Sequence, residues 1–462
     1  MSGAELRAGV DVGATSADAV LVDERGRLVS RAKVPVHATL RDSIAAALDA
    51  LPCPGPDGGG APARVMLATH AITDDLEHRR ALTRVGVLRL GGPLTGALPP
   101  LSGWPSDLRA AVSAGERIVG GGTDHDGWTA TPLDVEAVLR FLEAVAGDAG
   151  AIAVTSVFAP VAPEQELEVV ALVRRELGAG VAVTPSQEVG SIGLVARENA
   201  SVLNATLAGP AEHLAAALTG ALAARGMAAE SFFAQNDGTI MVFEHALRFP
   251  VLMIDGDTGV SIRGAAQLSG VADATVVDVG GSHTEVSVLV HGFPRQATPP
   301  TEVAGVSSDF RVPERWSLPV GGRTDAPDRA AALGWELADV DVLDDDPEQP
   351  GRPIIAVGGA AELVAQALTG GEEVIRPAYG DVAGAFGAAT AAVSGHADVV
   401  CAADPQRLEA ATDQVSGEAI ERAIHAGADP ARVEVVDVEQ VPLGHLVEPA
   451  FRLRARAVGP CA

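Results

Sequence analysis

The residues best suited to chemistry in this chain come as two short echoes. Val10-Asp11-Val12-Gly13-Ala14-Thr15-Ser16-Ala17-Asp18-Ala19 aligns without gaps against Val277-Asp278-Val279-Gly280-Gly281-Ser282-His283-Thr284-Glu285-Val286, with four positions identical and four more conservatively paired. Each copy runs along an apolar strand to an aspartate, turns at glycine and re-enters an apolar strand. Glycine lets the backbone approach a ligand closely and present its N–H groups as a small anion-binding concavity, and a hydroxyl at Thr15, Ser16 or Ser282 adds a donor. The carboxylate at each strand end, Asp11 or Asp278, is placed to hold a hydrated Mg²⁺, which keeps several waters when bound beside phosphates. One such hairpin is an ordinary turn. Two, at matching positions of two βββα units, point to a clamp on the phosphate tail of a nucleotide.

A third glycine site follows. Ile354-Ile355-Ala356-Val357-Gly358-Gly359-Ala360-Ala361-Glu362 reads as an apolar strand, a Gly-Gly turn and a helix start, which brings backbone against a flat ligand such as adenine. Tyr379 to Ala389 then reads as a small-residue helix suited to close packing at a hinge.

Composition narrows the chemistry. The chain has 462 residues, 61 acidic and 33 basic, for a formal net charge of −28, which argues against nucleic acid as a partner. Of the basic residues only Lys33 is lysine. No G-x-x-x-x-G-K-[ST] loop surrounds it, so a Walker-type site is excluded and Schiff-base chemistry disfavoured. The paired hairpins are therefore expected to clamp phosphate without any lysine. Cys53, Cys401 and Cys461 are too few and too scattered for disulfides or metal sites. Charges in the first twenty residues and the lack of a long uncharged apolar window predict a soluble, cytoplasmic protein with no membrane partner.

The elements that must position these residues alternate in an α/β pattern. A β-meander is expected from Arg7 to Val36, a helix from Ser43 to Leu51, a loop from Pro52 to Pro62, and strands at Arg64 to Ala68 and Val85 to Leu90. The Gly, Pro and Trp content between Gly91 and Gly127 reads as irregular. Helices are expected at Leu133 to Ala146, Pro163 to Leu177, Ile192 to Leu207 and Ala211 to Arg225, with strands at Ala151 to Phe158, Val181 to Thr184, Phe232 to Gln235 and Thr239 to Phe243. Val340 to Pro353, with its run Asp344-Asp345-Asp346, reads as a linker.

Two phosphate hairpins, a Gly-Gly turn and a small-residue connecting helix, in this order, resemble the actin, sugar kinase and Hsp70 superfamily of ATPases. Within it the chain most resembles the hydantoinase/oxoprolinase family, A-type ATP-binding subunit, in a compact form. The resemblance also runs through Thr69 to Arg80, Gly193 to Ala205, Asn236-Asp237-Gly238, Arg263-Gly264-Ala265-Ala266 and Gly427 to Leu446. It implies a two-lobed actin-like ATPase fold with duplicated RNase H-like domains and a central nucleotide cleft. The expected division is an N-terminal domain 1–190, a second domain 191–395 and a C-terminal α/β segment 396–462. The implied activity is ATP-dependent ring opening of a cyclic amide, imide or lactam, such as a hydantoin or 5-oxoproline, through phosphorylation of the carbonyl oxygen. In the family a separate B-type subunit often completes the hydrolysis. Asp11 and Asp278 are the expected catalytic and Mg²⁺-holding residues; Gly13, Thr15, Ser16, Gly280, Gly281, Ser282 and His283 are expected on the phosphates, and Gly358 and Gly359 beside adenosine. The family pattern is altered at Ala14, Asp74, Asp255, Asp257, Ser282 and Glu285.

Two other readings stay open at this stage, a small-molecule kinase of the same superfamily and a nucleotide-binding activating subunit without turnover. The oligomeric state is open too. His70, His78 and His125 lack metal-ligand spacing and read as surface or satisfied histidines. Thr123 to Gly127 reads as a polar turn. Glu198, Asn199 and Asn204, on an otherwise apolar helix, are candidates to face substrate or to be satisfied packing residues.

Overall fold

The run from Arg7 to Pro35 forms three antiparallel strands, β1 (Arg7–Val12), β2 (Ser16–Val22) and β3 (Leu28–Pro35). β1 and β2 are apolar nearly throughout because both faces are covered, whereas β3 alternates half-buried and exposed residues along the sheet edge. Thr39 caps α1 (Leu40–Ala50) by accepting the Asp42 amide, and the chain returns through β4 (Arg64–Thr69), parallel to β1, into α2 (Ala71–Glu77). The structure is a computed structural model describing residues 6–53, 60–124, 127–190, 192–298, 300–325, 328–340, 352–368, 373–443 and 450–462.

A separate parallel sheet in the order β6-β5-β7-β8 follows, built from β5 (Val85–Gly92), α3 (Ser106–Val112), β6 (Ser113–Gly120), α4 (Val135–Val145), β7 (Ala151–Ser156), α5 (Glu164–Glu176) and β8 (Ala182–Pro185). It has its own core, including Leu88, Leu90, Phe141, Leu142, Ile152 and Val154. The expectation that residues 91–127 are irregular fails over 106–120. Leu108 and Val112 bury one side of the two-turn α3, and β6 is held by hydrogen bonding to β5, a partner that its own sequence does not announce. Of the expected polar turn, Asp124 caps its own loop by accepting the Trp128 amide at 2.9 Å; residues 125–126, with His125, lie outside the described residues. Most of the expected linker, 341–351, also lies outside them.

The chain then packs α6 (Leu194–Thr206) and α7 (Ala208–Ala223) and returns to the first sheet with β9 (Glu230–Ala234), parallel to β4, and β10 (Ile240–Val242), before α8 (Phe243–Arg248). The first sheet thus contains the order β3-β2-β1-β4-β9. After α9 (Gly256–Ser269) a second sheet repeats it. β11 (Ala274–Val279), β12 (Thr284–Val290) and β13 (Phe293–Pro294) form the antiparallel meander. Beyond β14 (Thr301–Val303), β15 (Val306–Ser308), β16 (Arg315–Leu318) and α10 (Arg329–Ala338), β17 (Ile354–Val357), α11 (Glu362–Ala367) and β18 (Val374–Ile375) complete it. Its order, β13-β12-β11-β17-β18, has the same sequence of antiparallel and parallel pairings. These are the duplicated RNase H-like halves of the two-lobed fold.

The last elements are α12 (Ala383–Thr390), β19 (Val393–Ala402), α13 (Pro405–His425), β20 (Glu434–Pro442) and β21 (Ala450–Gly459). The three strands extend the first sheet to nine. Between the lobes, α9 and α12 cross where side chains have no room: a Cβ on Gly264 would stand 2.0 Å from the Ala383 carbonyl oxygen. Among the described residues no helix is long and apolar enough to cross a membrane.

Candidate functional site

The two hairpins have the same local geometry. The Gly13 amide donates to the Ser16 carbonyl at 3.1 Å, and the Gly280 amide to the His283 carbonyl at 3.0 Å. Asp11 pairs in register with Asp18, and Asp278 with Glu285, so each turn is flanked by two acids on neighbouring strands. The tips meet across the cleft, since a Cβ on Gly281 would lie 2.2 Å from Thr15 Oγ1.

Each strand-end aspartate is seated on a glycine. A Cβ on Gly384 in α12 would come within 2.1 Å of Asp11 Oδ2, and one on Gly358 within 2.3 Å of Asp278 Oδ1. Gly358 also adopts φ +89°, a left-handed conformation that costs a residue with a Cβ dearly. The Gly-Gly turn expected beside adenosine therefore also makes room for the second aspartate. Gly359, next to it, is exposed.

The cleft is rich in carboxylates. Burial pushes Asp11 well above the usual carboxylate range, and the charges of Asp257, Asp18 and Asp278 act in the same direction, with Lys33 opposing them. Burial likewise raises Asp278, partly offset by a hydrogen bond from Ser261 Oγ and by Lys33. Two buried oxygens, Asp18 Oδ1 and Asp257 Oδ1, have no hydrogen-bond partner among the described residues. Carboxylate oxygens are the hard donors that Mg²⁺ takes, directly or through its waters.

The one lysine lies near the first hairpin. Lys33, on β3 in register with Asp18, places Nζ 2.5 Å from Asp18 Oδ2 and 3.0 Å from the Asp381 carbonyl. Local sequence hid it, because β3 alternates like any solvent-facing edge strand and Lys33 acquires its neighbours only through strand register. His70, read as a surface or satisfied histidine, also lies in the cleft, 3.3 Å from Asp257. Burial opposes its charge, but Asp257, Asp255 and Asp74 prevail and raise its pKa to about 10.

All the expected hairpin residues are brought to this cleft. Thr15 and Ser16 are half-buried, Gly13 is exposed, and Gly280, Gly281 and Ser282 are half-buried. His283 is exposed at the tip, its Nδ1 3.0 Å from Ser282 Oγ. The sequence reading missed the loop Gly321-Gly322-Arg323 that backs the second hairpin, with the Gly322 and Arg323 amides donating to the Gly280 and Gly281 carbonyls. Its signal was a further Gly-Gly pair between strand and helix.

Two of the altered acids, Asp255 and Glu285, share one cation. Arg315 on β16 donates to both Asp255 oxygens at 3.1 Å and to Glu285 Oε2 at 3.3 Å, while Ser317 Oγ donates to Glu285 at 2.7 Å. Thr73 and Arg315 line a small cavity of about 70 Å³ together with Asp255, Glu77 and Glu302. By contrast, Glu198 is paired with Arg89, each 1% exposed, and Asn204 is spent on Thr184, Arg248 and Val251. Asn199 bonds Trp104 and the Ser307 carbonyl and borders a separate cavity of about 260 Å³. Their bonds are the internal ones of packing residues.

The family model described as hydantoinase/oxoprolinase N-terminal region matches residues 7–177, and the hydantoinase/oxoprolinase model matches residues 197–340, together more than half of the chain. The ATP-dependent caprolactamase from Pseudomonas jessenii is similar over 98% of this chain and 87% of its own, with 16% identity and a TM-score of 0.75. An acetone carboxylase in its nucleotide-free form is similar over 99% of this chain and 88% of its own, with 14% identity and a TM-score of 0.65. A search of curated protein sequences finds no match. The duplicated lobes and the two family models agree: the chain belongs to the hydantoinase/oxoprolinase family.

Proposed function

We propose that this chain is an ATP-dependent hydrolase that opens a cyclic amide, imide or lactam by phosphorylating its carbonyl oxygen. The observation that carries the reading is the pair of like hairpins facing across one cleft, each ending its strand in an aspartate seated on glycine. The family match and the caprolactamase likeness point the same way.

In this reading Asp11 and Asp278 hold Mg²⁺ through water. The fit is electrostatic, because a divalent cation offsets the burial that raises both carboxyls and the like charge of Asp257 that adds to it. Bound there, the ion neutralises charge on the transferring phosphoryl group. Amides and hydroxyls at Gly13, Thr15, Ser16, Gly280, Gly281, Ser282 and His283 orient the phosphates, and Gly358 and Gly359 flank adenosine. The carbonyl oxygen attacks the terminal phosphorus and ADP departs with the electron pair of the broken P–O bond. Water then adds to the activated carbon, the ring C–N bond of the adduct breaks as the nitrogen takes a proton, and a second water hydrolyses the acyl phosphate so formed, so that one amide, one ATP and two waters give a ring-opened acid, ADP and phosphate. An unactivated five-membered amide is a poor electrophile, which is why activation by phosphorylation is needed. Three free cysteines and the composition suit a cytoplasmic enzyme. A B-type subunit is the partner proposed for the hydrolytic step.

Calorimetry with Mg-ATP tests the site: the wild type binds, and the Asp11→Ala, Asp278→Ala double variant does not. ADP release and product analysis with a panel of cyclic amides, with and without a B-type subunit, test the reaction. Accumulation of a stable phosphorylated product would show a kinase instead.

A further inference from the structure

Lys33 is the one lysine among 33 basic residues, so every exposed cation elsewhere in the chain is arginine or histidine. Surface solvation does not call for this single exception, since arginine serves it throughout. What distinguishes lysine is a compact ammonium with three donors on a flexible stem, able to change partners by rotation, where arginine presents a rigid planar fork. Two of the three donors are used, on Asp18 and the Asp381 carbonyl. The side chain remains about one third exposed to the cleft.

Its surroundings favour an anionic ligand. Its charge reaches both Asp11 and Asp278. Its Cε is 3.8 Å from where a Cβ on Gly359 would stand, which brings a residue of the first lobe near the Gly-Gly turn of the second. Asp18 is only 7% exposed, and its Oδ1 is buried without a partner among the described residues.

We infer that Lys33 is a nucleotide-contacting residue: on binding, its ammonium leaves Asp18 and takes the non-transferred phosphates, between the strand-end aspartates and the Gly358–Gly359 turn. This rests on the ATP reading above. It also ties the first lobe to a nucleotide held by the second.

Because the lysine is unique, amine chemistry reports on it directly. The wild type is treated with formaldehyde and cyanoborohydride, with no addition, with Mg-ADP, or with adenosine, and dimethylation of the Lys33 peptide is followed by mass spectrometry. Mg-ADP slows Lys33 methylation at least about tenfold and adenosine leaves it unchanged. By calorimetry, Lys33→Met lowers Mg-ADP affinity at least about tenfold without changing adenosine affinity, and Lys33→Arg recovers part of the loss. Since Lys33→Met leaves Asp18 unpaired, Lys33→Met/Asp18→Asn serves as a second, charge-balanced variant with the same expected loss. If the wild type binds Mg-ADP while Lys33 methylates at an unchanged rate and the variants bind equally well, the role of Lys33 is refuted and the ATP reading stands. If the wild type binds neither Mg-ADP nor Mg-ATP, both fall.

Discussion

Substituting Gly384 by alanine separates the two things that glycine does in α12. In a helix interior alanine is favoured over glycine by about 1 kcal/mol. At Gly384, however, the new Cβ would stand 2.1 Å from Asp11 Oδ2, and real Cβ contacts do not fall below 3.0 Å, so the carboxylate must retreat by roughly 1 Å. Overpacking of this kind costs about 1–3 kcal/mol, so the net loss of stability is from near zero to about 2 kcal/mol. The functional cost is larger, because misplacing a positioned group by roughly 1 Å costs on the order of 100-fold in rate. Gly417 in α13 is the control: it is exposed and a Cβ there meets nothing within 4 Å, so Gly417→Ala stabilises by about 0.5–1 kcal/mol and leaves turnover alone. The assays are thermal unfolding and ADP release in the presence of cyclic amide. Gly384→Ala is expected to melt within a few degrees of wild type and to lose roughly two orders of magnitude in kcat/KM. Wild-type kcat/KM in a folded Gly384→Ala protein refutes the argument that Asp11 is held in place by that glycine.

Glu198→Gln breaks the fully buried pair with Arg89 and should cost about 3–5 kcal/mol, seen as a large fall in melting temperature, with Arg89→Met/Glu198→Met recovering most of it; unchanged stability with lost turnover would return Glu198 to the substrate-facing role. His70 has a folded pKa of about 10 against an ordinary value near 6.5, so its contribution is fully present below about pH 6.5 and is lost as pH rises towards 10. With its side chain about one third exposed, solvent screening leaves about 1–2 kcal/mol, and the wild type should lose that much more than His70→Gln between pH 7 and 10.5 in denaturant titrations. Arg315→Met strands Asp255 and Glu285 and should destabilise by about 3 kcal/mol, while adding Asp255→Ser should restore part of the loss, as measured by urea unfolding.

The hairpins were legible because their signal is local: strand, aspartate, glycine and strand lie within ten residues, and the same order recurs once. The helices between 133 and 225 were legible for a similar reason, having periodicity and caps such as Asp134 within their own spans. What escaped depends on register and crossing. Lys33 reads as an edge-strand residue until pairing sets it opposite Asp18. Gly384 reads as one more small residue in a small-residue helix until α12 crosses β1 beneath Asp11. The strands β5, β7 and β8 were recognisable and β6 was not, and nothing within them says that they leave the first sheet and pair among themselves. Glu198 and Asn199 could be read either way from sequence, as facing substrate or as packing; α6 is buried from Arg197 to Thr206, and their bonds go to Arg89, Trp104 and the Ser307 carbonyl.

The duplication also shows how two like halves come to do different work. In both lobes the strand-end aspartate has an acid opposite it on the next strand, Asp18 in one and Glu285 in the other. The next strand over supplies the partner, and there the symmetry ends. In the first lobe the partner is Lys33, flexible, partly exposed and bonded to the single carboxylate of Asp18. In the second it is Arg315, whose guanidinium is engaged by Asp255 and Glu285 together and whose pKa those charges hold above its ordinary value against the effect of burial. A planar fork bound to two carboxylates has little reason to move, whereas a single ammonium on a long stem can exchange one anion for another. The altered acids at Asp255 and Glu285 thus belong to a fixed scaffold under the second hairpin. The mobile charge sits under the first, so loss of Lys33 should be felt in nucleotide affinity and loss of Arg315 in stability.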